Sequence, residues 1–155
     1  MTFRTRICMK NVTKPCVPVL TSILLVLMTV TLGACGRLSQ AKATGEKAVV
    51  NFHAVYNQGK IENIWNNADP SFRTATTKVK YEDLMQAIQR KLGQVVSTTN
   101  ISWQMQSYNM KTSVLLSQTT TFEHGQGTET FTFGLDGTNA MLVQYNIQSI
   151  DLLTK

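Results

Sequence analysis

Cys35 is the residue whose type and surroundings point most directly to chemistry. It follows two small residues, Gly33 and Ala34. These come directly after an apolar stretch, residues 17–32, with the sequence VPVLTSILLVLMTVTL. Small side chains let an extended backbone enter a peptidase cleft, and a thiol is the side chain that forms a thioether. The pattern predicts cleavage between Ala34 and Cys35 and covalent modification of the Cys35 thiol.

The residues before this stretch support the same interpretation. Residues 1–16 contain no acid and four bases, Arg4, Arg6, Lys10 and Lys14. A basic segment, an apolar core and a small-residue cleavage site together are typical of a secretory signal peptide. An uncleaved transmembrane helix is the alternative, but the 16 apolar residues fall short of the roughly 20 that span a bilayer.

The four residues Leu32, Gly33, Ala34 and Cys35 resemble the lipobox of bacterial lipoprotein signal peptides. The resemblance implies that signal peptidase recognises Leu32, Gly33 and Ala34, and that Cys35 carries the lipid, including an acyl chain such as palmitate. Two or three acyl chains hold a protein stably in a membrane, at about 0.8 kcal/mol per buried methylene. We therefore expect a lipoprotein of the cell envelope that faces the periplasm.

Residue 36 is glycine rather than aspartate. In hosts with two membranes, the sorting of lipoproteins then implies the periplasmic face of the outer membrane. The signal peptide would span 1–34, a lipidated cysteine with a short tether 35–45, and a single folded domain 46–155.

Removal of the signal peptide changes the charge and the cysteine content. The whole chain has 15 bases, 9 acids and a formal charge of +6, but the four signal bases leave 11 bases, 9 acids and +2. This charge is too small for a phosphate-binding surface, so we expect no nucleic-acid partner. Cys8 and Cys16 leave with the signal and Cys35 is lipidated, which excludes a disulfide or a thiolate metal site in the mature domain.

Two histidines and one glutamate are the candidates for acid–base chemistry. His53 could act as a base with Tyr56 or Tyr145 as donor, although a surface or capping role for this histidine is favoured because histidine is commonly only part-buried. Glu123 is the second candidate base. His53 and His124 lie 71 positions apart with no third ligand at a suitable spacing, so no metal and no cofactor are predicted.

The apolar pattern after residue 40 predicts helices first. One helix is expected at residues 40–58, and a short second helix around Ile61, Ile64 and Trp65 that stops before Pro70. The clearest helix, residues 80–96, has apolar residues at intervals of three and four, namely Tyr81, Leu84, Met85, Ile88, Leu92 and Val95.

After Asn100 the apolar pattern changes to alternation, which predicts strands. Ile101, Trp103 and Met105 alternate with polar residues, and three further alternating segments follow at residues 114–122, 130–135 and 141–147. Asp136-Gly137 marks a hairpin, and a run of threonines on the middle strands fits a solvated face. The predicted class is α+β, with N-terminal helices packed on an antiparallel sheet of about four strands.

This order of elements resembles the nuclear transport factor 2-like superfamily, a cystatin-like α+β fold in which helices cover a curved sheet to form a cone. The resemblance rests on three segments: Val55-Tyr56-Asn57-Gln58-Gly59-Lys60; Trp65 followed by Asp69-Pro70-Ser71-Phe72; and residues 131–137 (FTFGLDG) followed by 142–147 (LVQYNI). It implies a pocket inside the cone, used by some members for catalysis and by others for binding. The candidate pocket residues are Tyr56, Trp65, Trp103, Phe131, Phe133 and Tyr145, although aromatic residues also dominate ordinary cores.

The sequence leaves three functions open. The first is a non-enzymatic envelope domain that binds a small apolar ligand or an envelope protein, with a homodimer through the sheet left open. The second is an isomerase- or dehydratase-like enzyme with His53 or Glu123 as base. The third is an assembly role for the exposed sheet face. A carboxylate or imidazole within hydrogen-bond reach of a tyrosine would favour the enzyme, and a purely aromatic and apolar pocket would favour binding.

Overall fold

A computed structural model of the chain describes the backbone of residues 18–154 and the side chains of residues 36–154. The chain divides into two compact units, Met1–Gly36 and Arg37–Lys155. The predicted signal peptide and its cleavage residues Leu32, Gly33, Ala34 and Cys35 lie outside the described side chains.

In the described residues 18–154, four helices precede the sheet and one short helix follows it. They are α1 (Pro18–Asn57), α2 (Ile61–Asn66), α3 (Pro70–Ala75), α4 (Lys78–Leu92) and α5 (Asp151–Thr154). Among the residues whose side chains are described, no helix is both long enough and apolar enough to cross a membrane.

The four strands form one antiparallel sheet in the order of the sequence. They are β1 (Val95–Tyr108), β2 (Lys111–Phe122), β3 (Gly125–Asp136) and β4 (Asn139–Gln148). The sheet is curved and unclosed, and the helices lead into it. The predicted α+β class with four strands is therefore confirmed. β1 is an edge strand, and its pairing with β2 is interrupted between Val95 and Ser97 and between Asn100 and Ser102.

The core lies between the helices and one face of the sheet. That face carries every second residue of the two central strands, as strand geometry requires. The buried residues are Val114, Leu116 and Phe122 of β2, Phe131 and Phe133 of β3, and Tyr81, Met85, Ile88 and Leu92 of α4. Each fully buried side chain of this size contributes about 1.5–3 kcal/mol to the free energy of unfolding.

Gly45 lets α1 approach the sheet closely. A Cβ atom at this position would lie 2.6 Å from Val114 Cγ1 and 2.8 Å from Leu116 Cδ1. Ala41, one turn earlier in α1, is also buried. The folded unit therefore includes residues 37–45, which the sequence analysis assigns to the tether.

α1 runs along the sheet in one direction. At the start of the second unit, Arg37 lines a cleft together with Met105 and Gly137. At the end of α1, the Asn57 amide donates to the Val95 carbonyl at 3.0 Å and accepts from the Val95 N–H at 2.9 Å. The β1–β2 and β3–β4 turns thus lie at the same end of the domain as Arg37, which we call the N-terminal end.

Both boundaries of α4 differ from the sequence prediction, and α1 begins at Pro18 rather than at residue 40. α4 begins at Lys78 because the Thr77 hydroxyl accepts a hydrogen bond from the Lys80 N–H, and it ends at Leu92 because Gly93 has a φ of +79°. Val95 consequently starts β1 rather than ending the helix, which corrects the predicted range of residues 80–96.

α3 was not predicted. The Asp69 carboxylate caps it by accepting from the Ser71 N–H at 2.8 Å, and Pro70 occupies its first turn. Asp69 and Pro70, which follow the end of α2, therefore also start α3.

Candidate functional site

A buried carboxylate, Glu129 of β3, forms the centre of a polar cluster in the core. Its side chain is 1% exposed. Its Oε1 accepts a hydrogen bond from the Tyr145 hydroxyl at 2.7 Å, and its Oε2 lies 2.8 Å from His53 Nε2. The Thr120 hydroxyl donates to the same Oε2. Both oxygens of the carboxylate therefore have partners.

Four elements bring these side chains together. His53 comes from α1, Thr120 from β2, Glu129 from β3 and Tyr145 from β4. Glu129 faces the helices because it lies an even number of residues from Phe131, and successive strand residues alternate between faces. Gln118, also buried, donates to the Thr120 hydroxyl at 3.4 Å and extends the cluster along β2.

The cluster keeps Glu129 ionised in spite of its burial. Burial alone would raise the pKa of Glu129, but the hydrogen bond and electrostatic attraction of His53, with the hydroxyls of Thr120 and Tyr145, hold it below its usual value. Burial also raises the pKa of Tyr145 well above its usual value, and the charge of Glu129 raises it further. Since a carboxylate only accepts hydrogen bonds, His53 and Tyr145 are the donors.

A cavity of about 210 Å³ lies beside this cluster, between α3, α4 and β4. Its wall is mainly apolar, with Lys80 as the only full charge. The lining residues are Phe72, Ala75, Thr76, Lys80, Tyr81, Leu84, Val143, Gln144 and Tyr145. Tyr145 therefore connects the cavity to Glu129, whereas Glu129 and His53 do not line it.

Tyr81, one of the residues that line this cavity, has a buried and unsatisfied hydroxyl. Its side chain is 3% exposed, and its hydroxyl has no hydrogen-bond partner among the described residues. Burial raises the pKa of Tyr81 far above its usual value, and the charge of Glu82 adds to the effect, so the hydroxyl keeps its proton. Buried polar groups are nearly always paired, and each exception calls for an explanation.

A second, smaller cavity lies between α1, α2 and the sheet. Its volume is about 130 Å³, and it combines the apolar side chains of Phe52 and Leu142 with three asparagines, Asn51, Asn63 and Asn67. The three asparagines are exposed at its rim, and the Asn67 amide donates to the Asn63 carbonyl at 2.8 Å.

His53 is not the surface or capping histidine that the sequence favours. It is 7% exposed and packs edge-on against Phe52 and Phe131, with ring centroids 5.8 and 5.7 Å away. The preference was wrong because the partner of the imidazole, Glu129, lies 76 positions away in the sequence. Of the predicted donors, Tyr145 belongs to the same cluster, whereas the Tyr56 hydroxyl donates to the Gly93 carbonyl at 2.8 Å.

The other acid–base candidates lie elsewhere. Glu123 is exposed next to the β2–β3 turn, where its carboxylate accepts from the Gln94 N–H at 2.9 Å. His124 is exposed in the same turn. The described residues contain no cluster of His, Cys, Asp and Glu side chains that could hold a metal ion.

The predicted pocket aromatics divide between core and cavity walls. Tyr145 lines the cavity at α3, α4 and β4, and Phe133 lines the smaller one. Phe131 stacks on Phe133 in the core with centroids 5.8 Å apart. Trp65 is buried against the Tyr81 ring at 5.5 Å, and Trp103 lies on β1, half-buried beneath Lys42.

Sequence reasoning missed Glu129, Thr120 and Tyr81 as site residues. A signal for Glu129 was present, because it shares its strand face with Phe131 and Phe133. Thr120 likewise shares a face with Leu116 and is fully buried, so the threonine run is not entirely on the solvated side as expected. Tyr81 looked like an ordinary member of an apolar helix face, and no pattern distinguishes a paired hydroxyl from an unpaired one.

Comparison with known proteins locates these residues within a family. The family model described as a protein of unknown function (DUF4019) matches residues 48–145. The matched segment contains His53, Tyr81, Thr120, Glu129 and Tyr145. No curated protein matches the chain.

Proposed function

Since the chain belongs to the DUF4019 family, whose function is unknown, we propose a function from its own residues: it is a lipid-anchored binding protein of the bacterial cell envelope. Its domain binds a small, mostly apolar molecule in the cavity between α3, α4 and β4. In hosts with two membranes the protein faces the periplasm from the outer membrane. This proposal combines an anchor read from the sequence with a binding site read from the fold.

The anchor is supported by the residues around Cys35. A basic segment, an apolar stretch of 16 residues and the lipobox-like Leu32, Gly33, Ala34 and Cys35 occur in the order and at the spacing of a lipoprotein signal. Lipid on Cys35 would hold the domain at a membrane without a transmembrane helix.

The unpartnered hydroxyl of Tyr81 is the observation that carries the binding proposal. A buried donor without an acceptor costs about 1–3 kcal/mol, and a ligand that brings an acceptor into the cavity recovers that cost. The remaining wall offers apolar contacts, chiefly from Phe72, Leu84 and Val143. Ligand sites commonly combine such walls with a few polar groups that fix orientation.

The size and charge of the cavity limit the class of ligand. At about 210 Å³ it is somewhat larger than the cavity of about 150 Å³ that holds benzene in another protein. Lys80 places a positive charge at the same wall. We therefore propose a small amphiphilic anion, with its apolar part in the cavity and a carboxylate that accepts from Tyr81 near Lys80.

Octanoate, a short-chain carboxylate, is a direct probe of this site. Titration into residues 36–155, followed by NMR, should shift signals of Tyr81, Leu84 and Val143. Tyr81→Phe should weaken binding about tenfold, since one hydrogen bond is worth about 1–1.5 kcal/mol. Tyr108→Phe, which changes an exposed tyrosine, is the matched control and should bind like the native domain. Equal affinity for both variants would contradict the role of Tyr81.

The anchor is tested by intact-mass analysis and membrane fractionation of the native protein beside Cys35→Ala. The native protein should be membrane-bound with the mass of an acylated chain that starts at Cys35, and the variant should lose both properties. Cys16→Ala, a cysteine substitution inside the predicted signal peptide, should behave like the native protein. A native protein that is soluble or retains residues 1–34 would overturn the anchor.

A catalytic role is the second candidate function, and the bond between Tyr145 and Glu129 favours it. A tyrosine that lines a cavity and donates to an ionised carboxylate is a plausible acid–base pair for a small substrate. Binding remains the primary proposal because Glu129 is closed off from the cavity and both of its oxygens are occupied. If octanoate or a related carbonyl compound is converted to product, and Tyr145→Phe abolishes that conversion, the enzyme replaces the binding protein.

A further inference from the structure

The turn between β1 and β2 presents apolar side chains to solvent at the N-terminal end of the domain. Met110 is fully exposed, and Tyr108 is 79% exposed. Leu38, near the start of the folded unit, is also exposed. None of the three contributes to the core, so their apolar character has no explanation inside the domain.

The backbone of this turn makes Met110 more unusual. Asn109 and Met110 have φ values of 48° and 60°, in the left-handed region that a two-residue hairpin with a type I′ turn requires at both positions. Asparagine tolerates this region, but a long side chain is disfavoured there and glycine would serve the turn without steric cost. A residue held in an unfavourable conformation is a reason to look for a role beyond the fold.

The β1–β2 turn lies close to the proposed lipid anchor. Arg37 lines a cleft together with Met105, Ser107 and Thr112, the residues that flank the turn on β1 and β2. Cys35, the proposed lipid-bearing residue, precedes Arg37 by two positions, so their Cα atoms are at most about 7 Å apart. The anchored end of the chain and the apolar turn are thus at the same end of the domain.

The charges around the turn suit a phospholipid surface. Lys111, next to the turn, and Arg37 are exposed bases, and the exposed acid Asp136 ends β3. Lys111 also interacts electrostatically with the Asp69 carboxylate. Tyrosine is enriched where proteins meet the membrane–water interface, and bases next to it are attracted to anionic lipid.

We propose that Tyr108 and Met110 insert into the interface of the bilayer that holds the lipid anchor. The domain then has a second membrane contact besides the lipid on Cys35, and its orientation above the membrane is fixed. The inference rests on the lipid anchor proposed above and adds a surface to it.

The test places a fluorescent probe at the turn of the lipidated, full-length mature protein. Met110→Cys is labelled with an environment-sensitive dye; because Cys35 carries lipid and the other two cysteines leave with the signal, this thiol is unique. The protein is reconstituted into vesicles of phosphatidylethanolamine and phosphatidylglycerol that contain spin-labelled lipid. Gln58→Cys is the matched control, because residue 58 is exposed at the opposite end of α1, about 30 Å from Arg37 at 1.5 Å per residue.

We expect the label at position 110 to emit at shorter wavelength and to be quenched several-fold more strongly than the label at position 58. Water-like emission and equal quenching at both positions, with the protein still in the vesicle fraction, would overturn the inference and leave the anchor intact. Shielding at position 110 without quenching would indicate a second copy of the chain and would also contradict it. A protein that lacks acyl mass and stays out of the vesicle fraction would refute the anchor, and this inference with it.

Discussion

His53 Nε2 and Glu129 Oε2 lie 2.8 Å apart in the core, although the two residues are 76 positions apart in the sequence. Their contact connects α1 to β3 and thus the helical layer to the sheet. Burial of charged or polar groups lowers the free energy of unfolding unless every group is paired. Removal of one partner leaves the other buried without a hydrogen bond, which is strongly destabilising. The cluster around Glu129 therefore controls how stability depends on pH.

Glu129→Gln should lower the free energy of unfolding and make that free energy depend less on pH in the acidic range. Because the pKa of Glu129 is lower in the folded chain than in the unfolded chain, the ionised group stabilises the fold above the unfolded-state pKa of about 4.3. That contribution is lost as the pH falls through the folded-state pKa. The variant should lose about 2 kcal/mol at neutral pH, since an amide cannot satisfy all three donors, and should show a shallower loss in acid.

Urea unfolding followed by tryptophan fluorescence, repeated from neutral to acidic pH, measures both effects. Asp83→Asn is the control, because Asp83 is an exposed carboxylate of α4. Parallel pH curves for native protein and Glu129→Gln would contradict the role of Glu129.

Tyr81→Phe should make the ligand-free domain more stable, by about 1 kcal/mol. The substitution removes a buried hydroxyl that has no partner and keeps the ring that packs against Trp65 and Phe72. Tyr56→Phe should lower the stability of the domain by a similar amount, because it removes the hydrogen bond that the Tyr56 hydroxyl donates to the Gly93 carbonyl. Thermal unfolding of the two variants side by side tests this; a loss of stability in Tyr81→Phe would show that its hydroxyl is already satisfied.

Gly45→Ala should destabilise the domain even though alanine is the better helix former. The added methyl group would lie within 3 Å of Val114 and Leu116, and overpacking of this kind costs about 1–3 kcal/mol, against a gain of up to about 1 kcal/mol in helix propensity. Gly36→Ala in the same helix is the control, since a Cβ there meets nothing within 4 Å. Chemical denaturation should separate the two variants, and equal stability would mean that α1 does not approach β2 so closely.

Met110→Gly should raise the free energy of unfolding by roughly 1 kcal/mol, because glycine adopts the left-handed backbone without the steric cost borne by methionine. Met141→Gly, a substitution of a partly exposed methionine within β4, should instead be destabilising, since glycine weakens a strand interior. Differential scanning calorimetry of both variants provides the comparison. A drop in stability for Met110→Gly would show that its side chain supports the turn.

Much of the fold follows from local patterns that the sequence displays openly. The apolar spacing of α4 and the alternation in β2, β3 and β4 identify these elements, and Asp136-Gly137 correctly marks a hairpin. α3 was missed because its six residues are too few to show a helical period. The start of β1 at Val95 was missed because the apolar spacing of α4 continues past Gly93, where the backbone changes direction.

The candidate site could be predicted only in part, because its members meet through tertiary structure. Glu129 reaches Thr120 across 9 positions, Tyr145 across 16 and His53 across 76. Strand alternation places Glu129 on the inward face, but no local sequence pattern identifies its hydrogen-bond partners. The sequence gives no means of predicting whether the Tyr81 hydroxyl has a hydrogen-bond partner, because that depends on the positions of all the side chains around it.

The interrupted pairing of β1 has a consequence for how copies of the chain can associate. An edge strand of 14 residues offers a row of backbone donors and acceptors on which another chain could align and aggregate. The lipid anchor proposed above would concentrate copies in two dimensions and make such encounters frequent. The breaks after Val95 and Asn100 bend and twist this edge, so that a neighbouring strand cannot follow it along its length. The irregularities thus disfavour the edge-to-edge pairing that leads to fibrous assembly.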